Sequence, residues 1–249
     1  LACLLAALLA SASAQPRVRM LPSRPISAAG KSWTYGLYIP ASYDPVKPMP
    51  LIMCLHGLGF TGDNYLKRWQ PRLGERYIVA CPTHPDAQWW TPESEELSLA
   101  VLKEVSAEYR VDPDRIFLTG MSNGGVGALW IGARQARLFA GVAPMAASFE
   151  PDWYPLLAGF KNTPLYIIHG SKDQVMPVQI IRDVAAELRR LGASVIYREH
   201  DREHPQAGGH YFPVEELPPL VEWFDATRRL GRGLPGLYFK QNGAISAGD

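Results

Sequence analysis

Cysteine is scarce in this chain of 249 residues, and none of Cys3, Cys54 and Cys81 stands in a CxxC or zinc-ligand spacing. That excludes a disulfide framework and leaves no metal site legible in the sequence. An excess of charge of one sign is missing too: 25 Lys and Arg against 24 Asp and Glu leave a formal net charge of +1, with no run of like charges. Without a basic field to attract polyanions, no nucleic-acid partner is expected. Apolar runs of spanning length are also wanting, so no stable membrane insertion is expected. The body of the chain shows no internal repeat and no low-complexity stretch, which excludes a solenoid.

What the chain does have is 47% hydrophobic residues, enough over this length for one domain with a substantial core. Residues 1–10 form an apolar stretch of about the length of a signal-peptide core, followed by the small-residue cleavage pattern Ala12-Ser13-Ala14. A signal peptide over 1–14 is therefore expected, with secretion or export to the periplasm. It reads as N-terminally incomplete, because neither an initiator Met nor a basic segment precedes it. A lipid-modified Cys3 ranks lower, since the residues after it are apolar where a polar tether is needed. The domain itself is expected over 15–230. Residues 231–249, rich in Gly and Ala with little periodicity, read as a loosely held tail. Cys54 and Cys81 each end an apolar run and read either as a bridge or as two buried thiols.

Apolar residues alternate at Trp33, Tyr35, Leu37 and Ile39, the period of a half-buried strand. Residues 51–55 are continuously apolar, as in a strand covered on both faces. Further short strands are expected at 77–81, 115–119, 139–143, 165–168 and 194–197. Helical periodicity falls between them at 95–109, 124–135, 178–191 and 215–230. Strands alternating with helices imply an α/β fold with a mostly parallel, doubly wound sheet and helices on both faces. Ligands of such sheets bind at the carboxyl ends of the strands.

Gly120-Met121-Ser122-Asn123-Gly124 is a G-x-S-x-G pentapeptide, weak by itself but placed between an expected strand and an expected helix. That is the setting of a nucleophile elbow, where glycines permit a strained serine that exposes its hydroxyl at the sheet edge. A serine hydroxyl attacks only when a base takes its proton and a carboxylate orients that base. Behind such an elbow the acid and then the base follow later strands. Asp173 follows the strand at 165–168, and His210 follows the strand at 194–197 in Gly208-Gly209-His210. His200 and His204 compete as the base, and Asp152 and Asp201 as the acid. Oxyanion donors are expected from the N–H of Asn123 and of Leu58, in the glycine-rich turn after 51–55, with His56 holding that turn by a side-chain bond. Trp89 and Trp90, in the loop after 77–81, read either as walls of a substrate pocket or as one core and one surface tryptophan; Trp153 and Tyr154 raise the same question.

These segments resemble the carboxylesterase, phospholipase and feruloyl-esterase group of α/β-hydrolases, including the polyhydroxybutyrate-depolymerase-like and dienelactone-hydrolase-like secreted esterases. The likeness runs from about residue 33 to 230. It is carried by Leu55-His56-Gly57-Leu58-Gly59, by Val111-Asp112-Pro113-Asp114-Arg115 leading into the elbow, by His169-Gly170 with Asp173, and by Gly209-His210. The resemblance implies a Ser122-Asp173-His210 triad with no metal or cofactor, acting through an acyl-enzyme on a small-molecule ester or an ester-decorated polymer. No long insertion separates 139–143 from Asp173, so no large lid is expected. A peptidase or amidase of the prolyl-oligopeptidase type with the same triad stays open, as does a non-catalytic binding module on the same fold.

Overall fold

A computed structural model describes residues 19–229. The expected signal peptide, Cys3 and the tail at 231–249 lie outside the described residues.

Eight strands form one sheet: β1 (Arg19–Ala28), β2 (Lys31–Ile39), β3 (Met49–Leu55), β4 (Ile78–Thr83), β5 (Val111–Met121), β6 (Gly141–Met145), β7 (Leu165–Gly170) and β8 (Val195–His200). Their spatial order is β1-β2-β4-β3-β5-β6-β7-β8. β2 pairs antiparallel with β1 and β4, and every other pairing is parallel. From β3 the chain moves outward to β4, then returns to β5 on the other side of β3. The loops after β3 and β5 therefore diverge at a topological switch point, where doubly wound sheets open a crevice.

Among the described residues, five α-helices cover the sheet: α1 (Gly62–Leu73), α2 (Pro92–Glu108), α3 (Asn123–Arg134), α4 (Val178–Arg190) and α5 (Leu217–Ala226). Leu97, Val101, Leu129, Ile131, Ile181 and Val184 place α2, α3 and α4 over one core. Tyr65, Leu66, Trp69, Leu73, Leu220 and Phe224 place α1 and α5 over the other. Cys54 and Cys81 lie fully buried as free thiols on β3 and β4, so the bridge considered from sequence is not formed.

Two elements depart from the sequence pattern. β1 carries Pro22 and Pro25 on an exposed edge, with an irregularity between Leu21 and Arg24. Prolines and charge on an edge strand discourage pairing with another chain, and they also hide the strand from periodicity arguments. Helix α1 holds Pro71 in its interior, which removes one backbone donor. It forms nonetheless because Tyr65, Trp69 and Leu73 bury one stripe and Thr61 Oγ1 accepts the Asn64 N–H at 3.2 Å as an N-cap. The helix expected over 215–230 is shorter, beginning after a single 3₁₀ turn with Pro218 and Pro219 in its first turn.

α3 is buried nearly all round and approaches β3 closely enough that a Cβ on Gly124 would overlap the Leu55 carbonyl. Gly124→Ala is expected to destabilise the fold by about 3 kcal/mol, the upper end of the cost of overpacking. The urea midpoint checks this; an unchanged midpoint would contradict so tight a contact.

Candidate active site

Ser122 stands between β5 and α3 with φ 59° and ψ −127°. A left-handed φ on a residue with a side chain is strained backbone that its surroundings must impose. The surroundings are tight: a Cβ on Gly120 would overlap the Gly124 carbonyl, and Gly124 itself abuts Leu55. The Ser122 N–H donates to the Met145 carbonyl at 3.0 Å, and its own carbonyl accepts from Val126 at 3.0 Å. Asn123 opens α3, so its N–H has no acceptor within the helix and points positive dipole toward the strand end.

The turn after β3 lies against this serine. A Cβ on Gly57 would come within 3.3 Å of both the Met121 carbonyl and Ser122 Cβ. Buried His56 holds the turn. Its Nε2 accepts the His84 N–H at 3.1 Å, which leaves the proton on Nδ1, 2.9 Å from the Gly57 carbonyl it donates to. Burial holds the pKa of His56 below its ordinary value, consistent with a neutral ring. Trp89 completes the brace: fully buried, it donates its indole N–H to the His56 carbonyl at 2.8 Å and meets the imidazole edge-on. Leu58 stays exposed at the mouth of the site.

Asp173, on the turn after β7, is buried with each carboxylate oxygen engaged. Oδ1 accepts the N–H groups of Val175 at 2.9 Å and Met176 at 2.8 Å, while Oδ2 takes a 2.7 Å bond from His210 Nδ1. Burial pushes its pKa up, but the bonds from His210, Met176 and Val175 outweigh burial and hold it below the usual carboxylate range. The loop carrying His210 can come this near because glycines meet there. Side chains at Gly170 and Gly209 would each run into the facing backbone, and Gly208 has φ 56°.

Of the competing histidines, His204 is exposed, with Nδ1 accepting the Gln206 N–H at 3.2 Å. His200 is buried at the end of β8 with neither ring nitrogen hydrogen-bonded. Neither pairs with a carboxylate, and Asp152 and Asp201 are both exposed. The sequence reading placed His169 in the segment of Asp173 but gave it no role: it is buried with Nε2 2.8 Å from the Met176 carbonyl, where it ties down the turn that presents Asp173. The signal available was its position one residue past the expected end of an apolar strand.

One pocket of about 610 Å³ brings these parts together. Its walls include Leu58, Ser122 and His210, with Arg68, Trp69 and Arg72 from α1. No Ser122–His210 hydrogen bond forms in this structure; such bonds often tighten only around substrate. Neither Trp89 nor Trp90 is among these walls. Trp89 is spent on the brace just described, and half-buried Trp90 packs toward Trp153, their rings 6.3 Å apart. Among the described residues, no group of three or more His, Cys, Asp or Glu converges as a metal site would.

Asp173→Asn should lower stability by about 1–3 kcal/mol at pH 7, the cost of disturbing buried hydrogen-bond partners. The carboxylate contribution is fully present above the unfolded value near ~3.9. It is lost as pH falls through the depressed folded value, so the gap between wild type and variant should close in strong acid. Urea melts at pH 7 and below pH 3 measure it, and a gap that does not narrow would show that folding does not lower the pKa of Asp173.

The model of the Esterase family, described as "Putative esterase", matches residues 26–219. Feruloyl esterase C of Emericella nidulans is 30% identical over 159 residues, covering 58% of this chain and 56% of that protein. The chain spans about half the length of the curated relatives it matches. A thermostable esterase of known structure superposes with a TM-score of 0.70 at 26% identity, over 84% of this chain and 63% of that one. S-formylglutathione hydrolase from Staphylococcus aureus shares the fold at 19% identity, with a TM-score of 0.68 over 84% of this chain and 97% of its own. Strained serine, switch-point crevice and family match agree in position along the chain, which belongs to the Esterase family of α/β-hydrolases.

Proposed function

We propose that this protein hydrolyses carboxylic esters by two-step acyl transfer, with Ser122 as nucleophile, His210 as base and Asp173 as the group that orients the base. The 2.7 Å Asp173–His210 bond, in a pocket shared with Ser122, carries the reading. Asp173 accepts a hydrogen bond from the His210 Nδ1–H, which fixes the tautomer with Nε2 free to accept the proton of Ser122 Oγ. As Oγ bonds to the ester carbon, the carbonyl oxygen gains negative charge, which the N–H groups of Asn123 and Leu58 receive. Collapse expels the alcohol, which takes the proton from His210. Water, deprotonated by the same ring, then attacks the acyl-enzyme and releases the acid and Ser122.

The substrate class proposed is a small-molecule ester or an ester borne on a polymer, in line with the names of the relatives. The apolar segment at 1–14 supports action outside the cytoplasm. No helix among the described residues is long and apolar enough to cross a membrane.

Ser122→Ala is expected to abolish labelling by a fluorophosphonate and to reduce ester turnover on the order of 10⁶-fold. Parallel assays of short acyl esters, feruloyl esters and peptide amides should show turnover of esters and little of amides. A folded Ser122→Ala protein that retained ester hydrolysis would sink the proposal.

A further inference from the structure

Four arginines among the described residues are half-buried: Arg24, Arg72, Arg115 and Arg229. Arg24 is bonded to Glu104 and Glu108, Arg115 lies 3.5 Å from Asp225, and Arg229 bonds Asp114. Arg72 has no such partner. Among the described residues it makes no hydrogen bond or ion pair, and its guanidinium carbon lies 5.6 Å from the Trp69 ring centre and 5.4 Å from that of Phe212. One turn earlier on the same face of α1, Arg68 is likewise unpaired and stands 4.4 Å from the Phe60 ring centre. Both line the pocket that contains Ser122, and no Asp or Glu is among its walls.

The aromatic rings explain how the guanidinium is held, not why it is there. Cation–π contact stabilises a charge over a ring face but leaves the in-plane N–H donors open to solvent or a ligand. Burial and the neighbouring Arg68 both disfavour the charge on Arg72. Two like charges kept together without a carboxylate in a concave site lack their counter-ion, and the matching chemistry for a guanidinium fork is a planar carboxylate. We propose that the substrate of this pocket is itself an anion, an ester bearing a carboxylate on its acyl or its alcohol part, which Arg72 receives with Arg68 beside it. Trp69 and Phe212 then fix the plane of the fork, and Ser122 meets the ester carbonyl elsewhere in the same pocket. The proposal rests on the assignment of Ser122 as the nucleophile, but the binding it describes does not depend on turnover.

The test separates the two. Calorimetry on Ser122→Ala protein compares monomethyl glutarate, an anion, with dimethyl glutarate, its neutral counterpart. A second pair, 4-acetoxybenzoate and its methyl ester, places the carboxylate on the alcohol side. In at least one pair the anion should bind about tenfold tighter or more, as a charge-assisted pair predicts. Arg72→Gln should collapse that ratio toward one, Arg72→Lys should restore part of it, and Arg137→Gln, an exposed arginine elsewhere, should leave it intact. Should Arg72→Gln not fold, Arg68→Gln provides the second variant, with a smaller drop expected. Equal binding of anion and neutral ester in both pairs, or a preference that survives both arginine substitutions, overturns the inference. Wild-type protein that binds anions selectively yet hydrolyses no ester would overturn the catalytic assignment and leave this one standing.

Discussion

The contact on which the site depends is backbone against backbone: α3 lies so close to the end of β3 that no side chain fits at Gly124 beneath the Leu55 carbonyl. That approach fixes the entry of α3, and the entry fixes the strained φ of Ser122. It also presses the Gly57 turn against the serine, so the ends of β3 and β5 meet at one point. Strain of this kind persists only where the surrounding structure over-determines it. Here the surroundings are the parallel pairing of β3 with β5 and of β5 with β6, and the Ser122 N–H bond to Met145.

A second glycine contact does the same work for the other half of the site. Gly170 and Gly209 let the turn after β7 and the loop after β8 touch through their backbones, which brings His210 to Asp173. The freedom that glycine offers an unfolded loop is thus not its use at Gly209; the absence of a Cβ is. Around this junction His169 is buried and its pKa lowered, first by burial, so it braces the turn as a neutral ring. Asp173 can remain ionised in such company because three hydrogen bonds converge on its two oxygens.

The central strands were legible as short continuous apolar runs, and α2, α3 and α4 as segments of helical length between them, uninterrupted by proline past the first turn. The positions of Ser122 and Asp173 just past strand ends, and of His210 on the loop after β8, were legible for a related reason, since strand ends follow from apolar runs. β1 and α1 were not. Pro22 and Pro25 break the alternation of an exposed edge, and Pro71 contradicts a helix whose buried stripe of Tyr65, Trp69 and Leu73 is narrow. Trp89 and Trp90 show the converse limit. Their position after β4 was readable, but only packing reveals that the Trp89 indole serves the His56 turn and not the pocket.

That division has a physical consequence for what the pocket recognises. Residues that touch reacting atoms must be placed to within a fraction of an ångström, so they sit on strand ends whose patterns are strong. Residues that read the rest of a substrate tolerate looser placement, and those proposed for that role come from α1, the helix the pattern conceals. Their charges differ in kind from the donors at Ser122. Backbone N–H groups at a helix start act at contact range and cost no reorganisation as charge develops. Guanidinium groups at a partly open pocket wall act over longer range and are screened by salt. A pocket built from both can tell an anionic ester from a neutral one at binding, and treat the two alike at the bond that breaks.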